Sequence, residues 1–182
     1  ADGSSNLLDQ TVETGGVVTA LRPDGSGYYI QNGSGPWTGI YVFDNNNTPA
    51  IGDSLTFSAD VYEYYNLTEL KNLTNYTVVS SDNMVVTSSV SPQMANSENY
   101  EGVLIKLFNV ECVQAPNQYN EWLAGDGTNS VIINDFLYFY DAVVNNYYNV
   151  TGIVDYFNEF KVCPRTANDV TTGTTYVFED QS

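Results

Sequence analysis

The sequence contains no histidine among its 182 residues. Catalytic triads of the Ser-His-Asp kind and Cys-His nucleophiles need an imidazole as the general base, so both are excluded, together with every zinc site that needs a histidine ligand. Carboxylates are the only remaining acid or base candidates. No glycine-rich phosphate-binding motif and no Cys-x-x-Cys pair is present. We therefore expect no catalytic residue in this chain and place any catalytic domain outside it.

Basic residues are scarce, with 5 Lys and Arg against 22 Asp and Glu, and the formal net charge is −17. A field of this sign repels phosphate backbones and disfavours nucleic-acid binding by the surface as a whole. Acidic surfaces suit Ca²⁺, and residues 44–47 begin like a calcium loop. Leu55 stands where the distal Glu of such a loop belongs. We expect no cofactor other than weakly bound Ca²⁺.

Long apolar runs are absent, so we expect no membrane insertion. The first residues, Ala1 to Ser5, are typical of a chain trimmed after export, and we expect a secreted or cell-surface protein. We also expect it to be a monomer. Stretches of helical period are also missing. The 15 Tyr and 8 Phe, with many Val and Thr, instead predict an all-β protein.

The sequence contains one element in two copies, at residues 51–70 and 147–162. Each contains an alternating strand, an acidic-aromatic-Asn cluster that can turn the chain (residues 63–66 and 155–158), and a second strand. The chain is therefore a tandem repeat.

Each copy has the plan strand, turn, strand, turn, strand, connector, and a closing strand–turn–strand. Five short strands in a unit of this length fit a closed Greek-key barrel of the OB type. The predicted fold is two tandem five-stranded OB-like barrels. We assign residues 1–13 to an N-terminal extension, 14–82 to the first barrel, 83–99 to a connector and 100–182 to the second barrel.

Candidate ligand-binding residues follow from the OB fold, which concentrates contacts on its second and third strands and on nearby loops. Flat aromatic rings beside Asn and Asp stack on bases or on sugar faces. The alternative is that these aromatic side chains fill the small barrels. The candidates are Tyr29, Gln31, Trp37, Tyr41, Tyr64, Tyr65 and Asn66 in the first copy and Trp122 in the second.

Arg165 is one of the few basic residues and has acidic neighbours. We expect it to have a structural role and to bridge a carboxylate such as Glu101 or Asp155. Cys112 and Cys163 lie on the predicted first and last strands of the second copy. In a closed five-stranded barrel we expect these strands to be neighbours, so a disulfide between the two residues is one alternative; two buried free thiols are the other.

The sequence resembles a known family at several motifs. In the first copy these are residues 39–43, Gly52-Asp53 and residues 61–70; in the second they include residues 100–104, 150–156 and Pro164-Arg165. They resemble tandem OB-fold modules of secreted bacterial, Bacteroidetes-type, extracellular nucleases and related multidomain exported proteins. The resemblance implies an accessory region whose nuclease chemistry lies in a downstream domain of the same polypeptide.

The expected function is therefore a non-catalytic binding module of a secreted bacterial protein. The resemblance implies attachment to an extracellular nuclease and assistance in nucleic-acid binding. The acidic, aromatic and Asn-rich surface instead favours a glycan or a protein as the partner. A rigid spacer without a ligand is the third alternative.

Overall fold

A computed structural model describes residues 3–174 of the chain. The all-β prediction is confirmed, with one short α-helix, α1 (Pro92–Ala95), and two 3₁₀ turns (Glu98–Tyr100 and Ala167–Asp169). The strands are β1 (Thr11–Leu21), β2 (Gly27–Gln31), β3 (Gly39–Phe43), β4 (Ser54–Tyr64), β5 (Leu67–Ser80), β6 (Ser88–Ser89), β7 (Leu104–Gln114), β8 (Trp122–Gly125), β9 (Ser130–Ile133), β10 (Tyr147–Phe157), β11 (Glu159–Cys163) and β12 (Val170–Thr172). Within residues 3–174, no helix is long and apolar enough to cross a membrane.

The first five strands form a closed barrel in the order β1-β2-β3-β5-β4, and β4 pairs back onto β1. All neighbours are antiparallel except β3 and β5, which run parallel. Alternation along β4 explains how the barrel fills, because Leu55, Phe57, Ala59 and Val61 are all buried in the first core. β1 begins at Thr11, ahead of the predicted barrel start at residue 14.

The second sheet repeats this order of strands. β7 pairs with β8, β8 with β9, β9 runs parallel to β11, β11 pairs with β10, and β10 pairs with β7. The five strands thus form a circuit of the same sequence order as the first barrel. The short strands β6 and β12 add to β7 and β10. The predicted domain boundaries stay a prediction.

Tight turns occur at both predicted acidic-aromatic clusters. Tyr64 pairs with Leu67, and the two residues between them, Tyr65 and Asn66, have φ of 50° and 68°. Two successive positive φ values define the type I′ turn that suits a twisted hairpin. The second hairpin turns at Asn158, where φ is 63°. Asn tolerates this conformation better than most residues.

A largely apolar junction joins the two sheets. Ala20, Tyr29, Tyr41 and Leu67 of the first barrel form one buried apolar cluster with Leu104 and Ile153 of the second sheet. Polar contacts cross the junction as well. Gln31 Oε1 accepts a 2.9 Å hydrogen bond from the backbone N–H of Leu104, and the N–H of Trp37 donates to the Asn99 carbonyl.

The backbones approach most closely at two glycines. A Cβ on Gly39 would lie 2.3 Å from the carbonyl oxygen of Gly102, and a Cβ on Gly102 would lie 2.7 Å from the backbone of Ile40. Because real side chains do not tolerate such distances, the contact between the barrels requires glycine at both positions.

Both cysteines are buried free thiols, which is the second of the two alternatives, and the possible disulfide is absent. The expectation that the first and last strands of the second copy are neighbours was wrong. Cys112 lies on β7 and Cys163 on β11, and β10 pairs with both of these strands and separates them. The barrel closes through its fourth strand because the fifth pairs in parallel with the third.

We predict that Gly102→Ala destabilises the protein much more than Gly127→Ala. Both residues have positive φ, 70° and 88°, but a Cβ at Gly127 meets nothing within 4 Å. Each substitution should lose about 1 kcal/mol from the left-handed backbone, and Gly102→Ala should lose about 1–3 kcal/mol more from overpacking. Urea unfolding measures both losses. Equal losses would show that the close approach of the two backbones carries no constraint.

Candidate functional site

The tips of the two repeated hairpins meet at one cleft between the barrels. The cleft has a volume of about 320 Å³. The β4–β5 tip contributes Tyr64 and Tyr65, and the β10–β11 hairpin contributes Asp155, Phe157 and Lys161. The loop after β9 adds residues 134–136. The duplicated element therefore builds the two sides of a single site.

Arg22 occupies the inner wall of this cleft. It follows β1, and its guanidinium carbon lies 3.9 Å from the ring centroid of Tyr41 and 4.4 Å from that of Phe136. Nη2 donates to the Tyr29 hydroxyl at 2.9 Å and to Asp155 Oδ2 at 3.3 Å. Arg22 thus ties the first barrel to the second through one side chain.

Asp155 is the carboxylate partner of Arg22, and it lies on β10. Burial raises the pKa of Asp155, while the charge of Arg22 acts in the opposite direction. Asp155 Oδ1 has no hydrogen-bond partner among the described residues. Buried acceptors are normally satisfied, so this buried oxygen is an exception.

The other basic residue of the cleft, Lys161, is neutralised by Glu121. A second cleft of about 350 Å³ shares Arg22, Tyr64 and Leu67 with the first and contains Lys71. The Lys71 ammonium lies 3.0 Å from the ring centroid of Tyr62. In the first cleft, Arg22 pairs with Asp155 and Lys161 pairs with Glu121, so both cations of that cleft already have a carboxylate partner.

The sequence-predicted ligand residues divide into two groups. Tyr29, Gln31, Tyr41 and Trp122 are buried, the first three at or beside the junction and Trp122 in the second core. Trp37, Tyr64, Tyr65 and Asn66 are exposed. Tyr64 and Tyr65 line the cleft, whereas Trp37 lines a different groove.

Arg165 bridges a carboxylate, as expected, but its partner is Asp169. Nε and Nη2 donate to the two oxygens of Asp169, each at 2.9 Å, and Nη1 donates to the carbonyl of Thr19 at the same distance. The predicted partners were wrong for a simple reason. Arg22 already pairs with Asp155, and Asp169 lies one 3₁₀ turn from Arg165.

Glu101 lies at the edge of the junction and is 8% exposed. Its Oε1 accepts a hydrogen bond from the backbone N–H of Thr68, and its Oε2 has no partner among the described residues. Burial raises the pKa of Glu101 to about 8; the Thr68 hydrogen bond opposes this, and the charges of Glu98, Glu63 and Asp155 add to it.

Sequence reasoning missed Arg22 and Phe136. Only its membership of the five basic residues could have drawn attention to Arg22. Phe136 lies in an irregular loop with no periodic pattern. No sequence pattern at either position predicts which residues lie across the cleft from it.

Neither a family model nor a curated protein matches the sequence. The resemblance to modules of secreted nucleases therefore stays a prediction.

We predict that Arg22→Met destabilises the protein by about 3–5 kcal/mol, because it leaves the buried carboxylate of Asp155 without its counter-charge. The double variant Arg22→Met/Asp155→Asn should recover most of this loss. Chemical unfolding of the wild type and of the single and double variants measures the effect. A loss below about 1 kcal/mol in the single variant, as exposed ion pairs give, would contradict a structural role for this pair.

We also predict that Glu101→Gln raises stability at alkaline pH. The folded state holds a proton on Glu101 up to about pH 8, whereas the unfolded state releases it near the ordinary pKa of 4.5. The contribution of Glu101 to stability is therefore complete below pH 4.5 and is lost as the pH rises to 8. The melting temperature of the variant should exceed that of the wild type increasingly over this window. A constant difference between pH 4.5 and 9 would contradict the raised pKa.

Proposed function

We propose that this chain is a non-catalytic module of an exported protein that binds a neutral glycan in the cleft between its two hairpin tips. Each half is proposed to be an OB-type barrel. The order β1-β2-β3-β5-β4 and its repetition in the second sheet support this assignment. Folds of this kind bind both oligosaccharides and oligonucleotides, so the choice of ligand depends on the chemistry of the cleft.

The exposed aromatic rings of the cleft are the observation that carries the proposal. Tyr64 is 55% exposed, Tyr65 is 76% exposed and Phe157 is 64% exposed. Large aromatic side chains at hairpin tips gain nothing from the protein core, and their flat faces suit the apolar faces of sugar rings. Ligand sites typically combine such rings with a few polar groups that fix orientation.

The polar groups of the cleft suit hydroxyl groups. Asp155 lines the cleft, and its Oδ1 has no hydrogen-bond partner within residues 3–174, so a sugar hydroxyl that reaches this carboxylate would supply a donor. Asn134 and Asp135 add amide and carboxylate groups to the same lining. A hydroxyl both donates and accepts, so it is compatible with each of them.

The charges of the cleft argue against phosphate. Arg22 is paired with Asp155 and Lys161 with Glu121, so neither cation is free to neutralise a nucleic-acid backbone. Oligonucleotide binding draws much of its affinity from such neutralisation. The chain also carries a net charge of −17. A neutral glycan avoids this repulsion.

The biological setting comes from the resemblance alone. We propose that the module belongs to a longer secreted or cell-surface polypeptide and serves a catalytic domain outside this chain. In the nuclease setting, the same aromatic rings would stack on the bases of a single strand. That alternative predicts affinity that falls steeply with salt.

We predict that screening on a glycan array identifies a neutral oligosaccharide, and that Tyr65→Ala and Phe157→Ala each weaken its binding. Loss of one stacking ring should lower affinity by roughly tenfold, the effect of a contact of 1–2 kcal/mol. Isothermal titration calorimetry measures the change. Trp37→Ala is the matched control, since it removes an exposed aromatic ring outside the cleft and should leave affinity unchanged.

Two results would contradict the glycan proposal. One is binding of labelled oligonucleotides at low salt with no glycan bound. The other is a glycan whose affinity depends on Trp37 and not on Tyr65 or Phe157. If neither a glycan nor an oligonucleotide binds at millimolar concentration, the rigid-spacer alternative is favoured.

A further inference from the structure

A second groove lies beside the junction, separate from the cleft of the proposed function. It has a volume of about 630 Å³. We call it the Trp37 groove, after the residue at its rim. The segment Gly3 to Leu7 forms one part of its lining, and the other residues are Trp37, Gly39, Ile40, Thr68, Glu98 and Glu101.

Trp37 presents its indole to solvent and is 69% exposed. Its backbone is fixed, because its N–H donates a 2.6 Å hydrogen bond to the carbonyl of Asn99 in the second half of the chain. The ring is thus held at the place where the two halves meet.

The inner part of the groove is acidic. Glu98 and Glu101 both line it. Glu63 adjoins it, because this carboxylate accepts hydrogen bonds from the backbone N–H of Ser5 and the hydroxyl of Thr68, two residues of the lining. The charges of Glu63 and Glu98 both act on Glu101.

Glu101 gives this acidic group an unsatisfied acceptor. The residue is 8% exposed, and Oε2 has no hydrogen-bond partner within residues 3–174. A buried carboxylate oxygen without a donor is costly, and a donor that carries positive charge satisfies it best.

The protein supplies no side-chain cation to this groove in its described part. The ion pairs of residues 3–174 join Arg22 to Asp155, Lys161 to Glu121 and Arg165 to Asp169. The ammonium groups of Lys71 and Lys106 lie over Tyr62 and Phe108. None of these residues lines the Trp37 groove.

We propose that the Trp37 groove binds a primary alkylammonium group, with the ammonium at Glu98 and Glu101 and the alkyl chain against the indole of Trp37. The exposed indole of Trp37 offers a large apolar face to the alkyl chain. An ammonium carries three donors, which matches the unpartnered oxygen of Glu101 and the neighbouring carboxylates. The negative field of the whole chain also attracts cations. The groove goes beyond the proposed function and uses none of the residues assigned to the glycan.

The test is calorimetric titration of the full chain at about 0.15 M salt, where exposed charges are screened beyond a Debye length. The probes are spermidine, as a free polyamine, and Nα-acetyl-lysine methylamide, as a lysine side chain. Binding of the first alone identifies a small-molecule amine, and binding of the second identifies a peptide source. Trp37 should report the same event by fluorescence, since Trp122, the other tryptophan, is buried.

Three variants distinguish a site from general attraction. With all titrations at pH 9, above the raised pKa of Glu101 of about 8, Glu101→Gln should weaken binding by about tenfold or more, because it removes a charged acceptor. Trp37→Leu should weaken it by about fivefold, because it removes the aromatic face that the alkyl chain covers. Glu13→Gln removes the same charge at an exposed position outside the groove and should leave affinity within about twofold. Circular dichroism verifies that each variant is folded.

Two outcomes would overturn the proposal. The first is that neither probe binds at millimolar concentration. The second is that Glu101→Gln and Glu13→Gln weaken binding equally. Phe157→Ala separates this proposal from the glycan proposal, because it should leave alkylammonium binding unchanged while it weakens glycan binding.

Discussion

The ion pair between Arg22 and Asp155 crosses the junction between the first barrel and the second sheet, and the cleft depends on it. Both side chains are largely buried, and Arg22 also bonds to Tyr29 and lies against Tyr41 and Phe136. A complete buried ion pair adds little to the free energy of unfolding, but removing one of its partners is strongly destabilising. It therefore specifies one arrangement of the two halves. The apolar cluster and the glycine contact beside it hold the same arrangement.

The duplication matters for the proposed function, because both copies contribute to the cleft. Each copy carries an acidic-aromatic hairpin, and the junction brings both hairpins to the same cleft. The copies then supply different parts: the first gives the rings of Tyr64 and Tyr65, and the second gives Asp155 and the ring of Phe157. A single barrel would present only one side of this site. Because the two halves are already packed together, a ligand of the proposed site would lose little free energy in ordering them.

Local patterns in the sequence predicted the local structure well. Alternation in residues 55–61 predicted a strand, and the Asn-containing clusters predicted both hairpin turns, because these depend on neighbouring residues. Pairings between distant residues were not predictable. Arg22 and Asp155 are 133 positions apart, and the order of strands that separates Cys112 from Cys163 follows from non-local closure of the sheet. Tyr65 is exposed and Tyr29 is buried. This difference depends on the same closure of the sheet, so it could not be predicted from the sequence.

The central claim is that one neutral sugar chain touches both hairpin tips at once. Nuclear magnetic resonance of the protein bound to its best glycan tests this most directly, through nuclear Overhauser effects between sugar protons and aromatic ring protons. The account predicts such effects from the same oligosaccharide to Tyr65 and to Phe157, which lie on different barrels. Contacts confined to one barrel, or to Trp37, would contradict it.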